Sequence, residues 1–72
     1  MRPNGAAIKA IREARGIRLR RLAHLIGIDP GYLSRIESEQ QGAGDGTLHR
    51  TAEELNVPLE AITHRETPRD QE

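Results

Sequence analysis

Residues 22–37, LAHLIGIDPGYLSRIE from Leu22 to Glu37, read as two short helices joined by a tight turn. Leu22, Ala23 and Ile26 recur at the i, i+1, i+4 spacing that one helical stripe buries, and Gly27 stands where a helix needs a left-handed stop. Asp29 then offers a carboxylate to the free amides of a new helix, and Pro30 suits its first turn because no N–H is missed there. Leu33 and Ile36, three residues apart, face inward from that second helix. Ala23 is thus a small residue where the helices cross, Gly27 a flexible residue in the turn, and Leu33 an apolar plug beneath the second helix.

The flanking sequence continues in the helical period. A first helix is predicted from Asn4 or Gly5 to Arg15, with Ile8 and Ile11 along one side and Gly16 closing it. The central pair covers Leu19 to Ile26 and Pro30 to Ser38. QQGAGDG (40–46) is a glycine-rich loop, after which Asp45 or Thr47 caps a fourth helix carrying Leu48, Ala52 and Leu55. Asn56 is its left-handed stop, and Pro58 opens a short fifth helix through Ile62, with Leu59 and Ile62 as its apolar pair. From His64 onward HRETPRDQE is polar and aperiodic, so the chain divides into a folded domain at 1–63 and a disordered polar tail at 64–72.

At 72 residues the chain is one small all-α domain, because a chain this short buries only roughly 60% of its unfolded surface. There is one Tyr and no Phe, Trp or Cys, so Ile, Leu and Ala must make the core, which suits closely spaced helices. Without cysteine there is no disulfide, and His24, His49 and His64 share no ligand spacing; no metal or other cofactor is expected. No apolar run approaches the ~20 residues that span a bilayer, and the N-terminus has no apolar signal-peptide core, which points to the cytoplasm. Net charge is zero but unevenly spread. Residues 1–36 carry eight basic against two acidic side chains, and residues 37–72 three against nine. Such a dipolar chain presents a positive face to phosphates while its far side stays acidic.

Taken together, the segments ARGI (14–17), LAHLIGI (22–28), YLSRIE (32–37) and AEELNVPLEAI (52–62) closely resemble the lambda-repressor-like, Cro-type helix-turn-helix family. The match covers residues 5–62. The resemblance implies a compact five-helix domain whose second motif helix, Pro30 to Ser38, lies in the major groove of double-stranded DNA. The reading positions are held by Pro30, Gly31 and Arg35, with Tyr32, Ser34 and Ser38 nearby. Pro30 and Gly31 have no side-chain donor where many relatives carry Gln or Ser, so direct reading falls mainly on Arg35. An arginine grips guanine O6 and N7 with two hydrogen bonds, a contact worth about 1–3 kcal/mol of discrimination. Arg18 and Arg20 at the second helix's start, Gln40 and Gln41 in the loop, and the amides opening the second and third helices are the expected phosphate contacts. Arg12 and Glu37 match a pair that bridges the first and third helices in relatives and orients the reading helix.

The other readings are plainer. Tyr32 either packs against the second helix or faces DNA, His24 between Ala23 and a buried Leu25 is an exposed polar position, and the Leu59 and Ile62 stripe is core before it is a dimer contact. No base, oxyanion donors or partner histidine surround Tyr32 or Ser34, so no enzyme is expected. The functional expectation is a sequence-specific transcriptional regulator, most simply a repressor, binding half-sites as a homodimer. The rival is a protein-interaction module, such as an antitoxin or anti-repressor adaptor, whose acidic half holds a protein partner. A recombination accessory factor such as an excisionase would again bind DNA.

Overall fold

Four α-helices carry the computed structural model, which describes residues 1–64: α1 (Gly5–Ala14), α2 (Leu19–Ile26), α3 (Pro30–Glu37) and α4 (Asp45–Leu55). Their starts follow local chemistry. The Asn4 side chain accepts from the Ala7 amide (3.1 Å) and the Asp29 side chain from the Gly31 amide (2.8 Å), each satisfying a donor that a first helical turn leaves open. The expected cap at Asp45 or Thr47 is not formed. Gly44 is the N-cap and provides no side-chain bond, while Asp45 already lies inside the first turn of α4.

All four helices stop in one pattern. One or two residues beyond each helix the chain takes positive φ, at Gly16, Gly27, Glu39 and Asn56, and the following amide reaches back to the last turn: Ile17 to Arg12, Ile28 to Ala23, Gln40 to Arg35 and Val57 to Ala52. Gly27, at φ 76°, adopts this conformation without steric penalty and turns the chain between α2 and α3. Glu39 does so at φ 61° despite its side chain. The helix expected to run through Ser38 ends at Glu37, and Ser38 is its C-cap.

The expected fifth helix is a single 3₁₀ turn, Leu59–Ile62, closed by the Ala61 amide on the Pro58 carbonyl (2.9 Å). Four residues between Pro58 and an extended Thr63 (φ −127°, ψ 150°) leave no room for an α-helical ladder. Thr63–His64 then forms β2, antiparallel to β1 (Arg2–Pro3), with Arg2 opposite His64 and Pro3 opposite Thr63. The all-α expectation thus acquires a two-residue ladder between residues 2–3 and 63–64, which takes in His64. Residues 65–72 of the expected tail lie outside the described residues.

Ile8, Leu22, Ala23, Ile26, Leu33, Ile36, Leu48, Ala52, Leu55 and Ile62 form one buried core drawn from every helix and the 3₁₀ turn. Burying a Leu or Ile side chain contributes about 1.5–3 kcal/mol, so this cluster supplies the main drive to fold. Ile62 is wholly buried and is core, not a dimer contact. Leu25, expected inside, is 37% exposed.

Glu39 fastens the ladder to the helices. Its Oε2 accepts from the Gly5 amide (3.0 Å) and from His64 Nε2 (2.9 Å), so one carboxylate joins the starts of α1, the end of α3 and β2. The His64 hydrogen bond chiefly, with the Gly5 amide and the charges of His64 and Arg2, holds the Glu39 carboxyl below its ordinary value against the opposing effect of desolvation. A depressed carboxylate contributes stability that is complete above its unfolded pKa and lost as pH falls through the folded one. On acidification below the usual carboxylate range, the protection of the Gly5 amide and of the β1–β2 amides, measured against their intrinsic exchange rates at each pH, is therefore expected to fall. Glu39→Gln should flatten that part of the profile, and an unchanged profile in Glu39→Gln would show that another group controls it.

Candidate nucleic-acid interface

The α2–α3 pair is held from beneath and from the side. Beneath it, Ala23 and Leu33 are buried, as the sequence requires of the crossing and of the plug. To the side, Arg12 of α1 grips Glu37 of α3 through Nε to Oε2 (2.7 Å) and Nη2 to Oε1 (3.1 Å), and both residues are buried. The third guanidinium nitrogen, Nη1, donates to the Ile17 carbonyl (2.8 Å) just before α2. Arg12 thus ties α1, the entry to α2 and the end of α3 together, and its hydrogen bond to Glu37 raises its pKa above the usual arginine value. A bidentate fork of this kind fixes orientation as well as contributing energy.

On the outer side, Ser34, Arg35, Ser38 and Gln40 are exposed, and Pro30, Gly31 and Tyr32 are half-buried. The Arg35 Nε donates to the Gln41 side-chain oxygen (3.0 Å). The Tyr32 hydroxyl donates to the Gly42 carbonyl (3.1 Å), so this residue anchors the loop after α3. Ser38 Oγ donates to the Arg35 carbonyl (3.2 Å). Arg18 and Arg20, at the start of α2, are exposed, and neither they nor Arg21 nor Arg35 forms an ion pair among the described residues.

The two helix starts differ. Arg18 makes no side-chain capping bond, so the first amides of α2 stay open to an acceptor from outside. At α3 the expectation of amides available to phosphate needs correction, because Asp29 occupies the Gly31 amide and sets a negative charge beside it. Pro30 removes one further donor. The first turn of α2 therefore keeps more open amides than that of α3.

Three residues of the site frame have roles that the sequence does not signal, although Gln41 is an expected phosphate contact. Gly5 reads as an ordinary helix start, yet an added Cβ there would run into the backbone carbonyl oxygens of Ile36 and Glu37. Glu39 is not a residue type associated with a left-handed stop. Gln41 lies in a glycine-rich loop where only the tertiary structure brings it to Arg35. Among the described residues no three His, Cys, Asp or Glu side chains cluster to hold a metal ion, and no helix is long and apolar enough to cross a membrane.

Two helices joined at a tight glycine turn, with the second presenting an exposed arginine outward, define a helix-turn-helix domain. A helix-turn-helix family model matches residues 8–62, and the chain belongs to this family, of the lambda-repressor-like class. It is similar to the clp gene regulator ClgR from Corynebacterium glutamicum, with 31% identity and a TM-score of 0.75 over 76% of this chain and 58% of that one. The present sequence thus spans little more than half of ClgR. It is similar to the master biofilm regulator SinR from Bacillus subtilis, solved in complex with DNA (32% identity, TM-score 0.72, 76% and 89% of the two chains) and also in a complex with SinI. The restriction-modification controller protein C.AhdI from Aeromonas hydrophila shares the fold at 24% identity and a TM-score of 0.76 over 79% of this chain and 86% of that one. No curated protein gave a significant match.

Proposed function

We propose that this chain is a sequence-specific DNA-binding transcriptional regulator, most simply a repressor, that inserts α3 into the major groove. The observation that carries this reading is Arg35, exposed on the second motif helix and free of any carboxylate partner among the described residues. Arg18 and Arg20 beside the uncapped start of α2 supply phosphate contacts, joined by Gln40 from the loop. Pro30, Gly31, Tyr32, Ser34 and Ser38 shape the surface that meets the groove. SinR, solved with DNA at 32% identity, supports the same ligand here. Two copies would meet half-sites about one helical turn, roughly 34 Å, apart. The reading involves no catalytic step and places the protein with the DNA, in the cytoplasm.

Site selection from random duplexes tests it. Wild type is expected to enrich a site containing a guanine that Arg35→Ala no longer prefers, with a loss of affinity of about tenfold, since a bidentate arginine contact is worth about 1–3 kcal/mol. Arg18→Ala and Arg20→Ala should instead weaken all sequences alike, each lowering the log–log salt slope by about 1. Absence of enrichment and of any footprint at low salt would refute the reading.

The SinR–SinI complex favours a second reading, in which a protein partner joins or replaces DNA. A partner retained from host lysate after nuclease treatment, with no footprint, would select it.

A further inference from the structure

Arg35 has five N–H donors, and they are not equally available. Its Nε donates to the Gln41 side-chain oxygen at 3.0 Å, and Nη1 lies 3.5 Å from the place a Cβ would occupy on Gly31, one helical turn back. The guanidinium therefore extends along the outer face of α3 toward its N-terminal end. With Nε engaged, the four Nη hydrogens remain, and their outer edge can meet two acceptors side by side.

A glutamine in a glycine-rich loop would ordinarily be too mobile to aim anything. This loop is clamped on both sides of Gln41. Before it, the Gln40 amide donates to the Arg35 carbonyl (2.9 Å), and the Glu39 carboxylate is held by the Gly5 amide and His64. After it, the Gly42 carbonyl accepts from Tyr32, and Ala43 packs against the core. Three separate elements, α1, β2 and α3, thus fix the backbone that carries Gln41.

We propose that Gln41 is a positioning residue for base recognition: by accepting from Arg35 Nε it presets the guanidinium so that its Nη1/Nη2 edge meets guanine O6 and N7 end-on. Gly31 belongs to the same device. Without a side chain it leaves the guanidinium and the approaching base room at the helix's first turn, whereas a Cβ there would press on the Asp29 carboxylate at 2.9 Å. An arginine held in this way loses less rotamer freedom on binding than a free one, so its contact discriminates between bases more strongly. The thinness of a reading surface containing Pro30 and Gly31 is offset by a single arginine that is already aimed.

This proposal rests on the DNA-binding reading above, and its test keeps the two apart. Random duplexes and the duplex selected by wild type are titrated with wild type, Gln41→Ala, Gln41→Glu, Arg35→Ala and the Arg35→Ala/Gln41→Ala double variant. Gln41→Ala is expected to lower the ratio of affinity for the selected guanine duplex over random duplex about tenfold. Gln41→Glu keeps an acceptor oxygen in place and should retain the preference, although its charge weakens binding to every sequence. The double variant should be no less selective than Arg35→Ala alone, because both changes remove one contact. Full preference in Gln41→Ala, or equal effects of Gln41→Ala with and without Arg35, overturns the proposal. So does the free protein, read by NMR, if the Arg35 Nε–H is as protected from exchange in Gln41→Ala as in wild type; that result stands whether or not DNA binds. If wild type prefers no duplex, the DNA reading itself fails and this one with it.

Discussion

Gly5→Ala is expected to destabilise this chain by about 3 kcal/mol or more. A Cβ at residue 5 would collide with the carbonyl oxygens of Ile36 and Glu37, and the carbonyl carbon of Glu37 would lie 2.6 Å away. All three are backbone atoms at the end of α3, so no rotamer change relieves the clash. Either α1 moves off α3, breaking the Gly5 amide bond to Glu39 and the Arg12–Glu37 fork, or the last turn of α3 unwinds. Both displace the helix that carries Arg35. Gly46→Ala is the matched control: it sits in the first turn of α4 with nothing within 4 Å of an added Cβ, and alanine there is expected to be neutral or stabilising by up to about 1 kcal/mol. Urea midpoints of the two variants decide it. A Gly5→Ala protein as stable as wild type would mean that α1 and α3 do not approach as closely as described.

The second large effect is expected at Glu37. Glu37→Ala leaves Arg12 buried and still charged, because arginine stays protonated throughout the accessible pH range even without the partner whose hydrogen bond raises its pKa. Breaking a buried pair from one side costs about 3–5 kcal/mol. Against a total of about 5–15 kcal/mol for a small domain, that depletes the folded state substantially. The double replacement Arg12→Met/Glu37→Leu should recover most of the loss, since it removes both charges and fills the space with apolar atoms. It should not recover site-specific DNA binding equally well, because Arg12 also holds the Ile17 carbonyl and so sets α2 against α3. Thermal melts and operator titrations on the same three proteins separate the two roles. Equal recovery of stability and of binding would show that the fork orients nothing.

Much of the frame was legible because its signals are local. The left-handed stops at Gly16, Gly27 and Asn56, the Asp29 cap, Pro30 at the start of α3 and the inward spacing of Leu22, Ala23, Ile26, Leu33 and Ile36 depend on residues within a turn or two of one another. The pairing of Arg12 with Glu37 followed from the family pattern. The candidate reading residues are exposed or half-buried. The misplacements share a cause. The fifth helix, the Thr47 or Asp45 cap and the buried Leu25 were inferred from propensity and period, where the outcome turned on how much space neighbouring elements left.

What the amino-acid order settled by itself is the number of helices in the motif, where each begins and the turn between α2 and α3, because nearest-neighbour hydrogen bonds and an apolar period are written along the chain. What only the folded chain decided is how that motif is held and aimed. Gly5 is required by an approach to residues 36 and 37, Glu39 adopts a left-handed conformation with bonds to residues 5 and 64, and Gln41 meets Arg35 across a loop. Each is a contact between segments distant in sequence or joined by irregular backbone, and the free energy that selects it exists only after the core has brought those segments together.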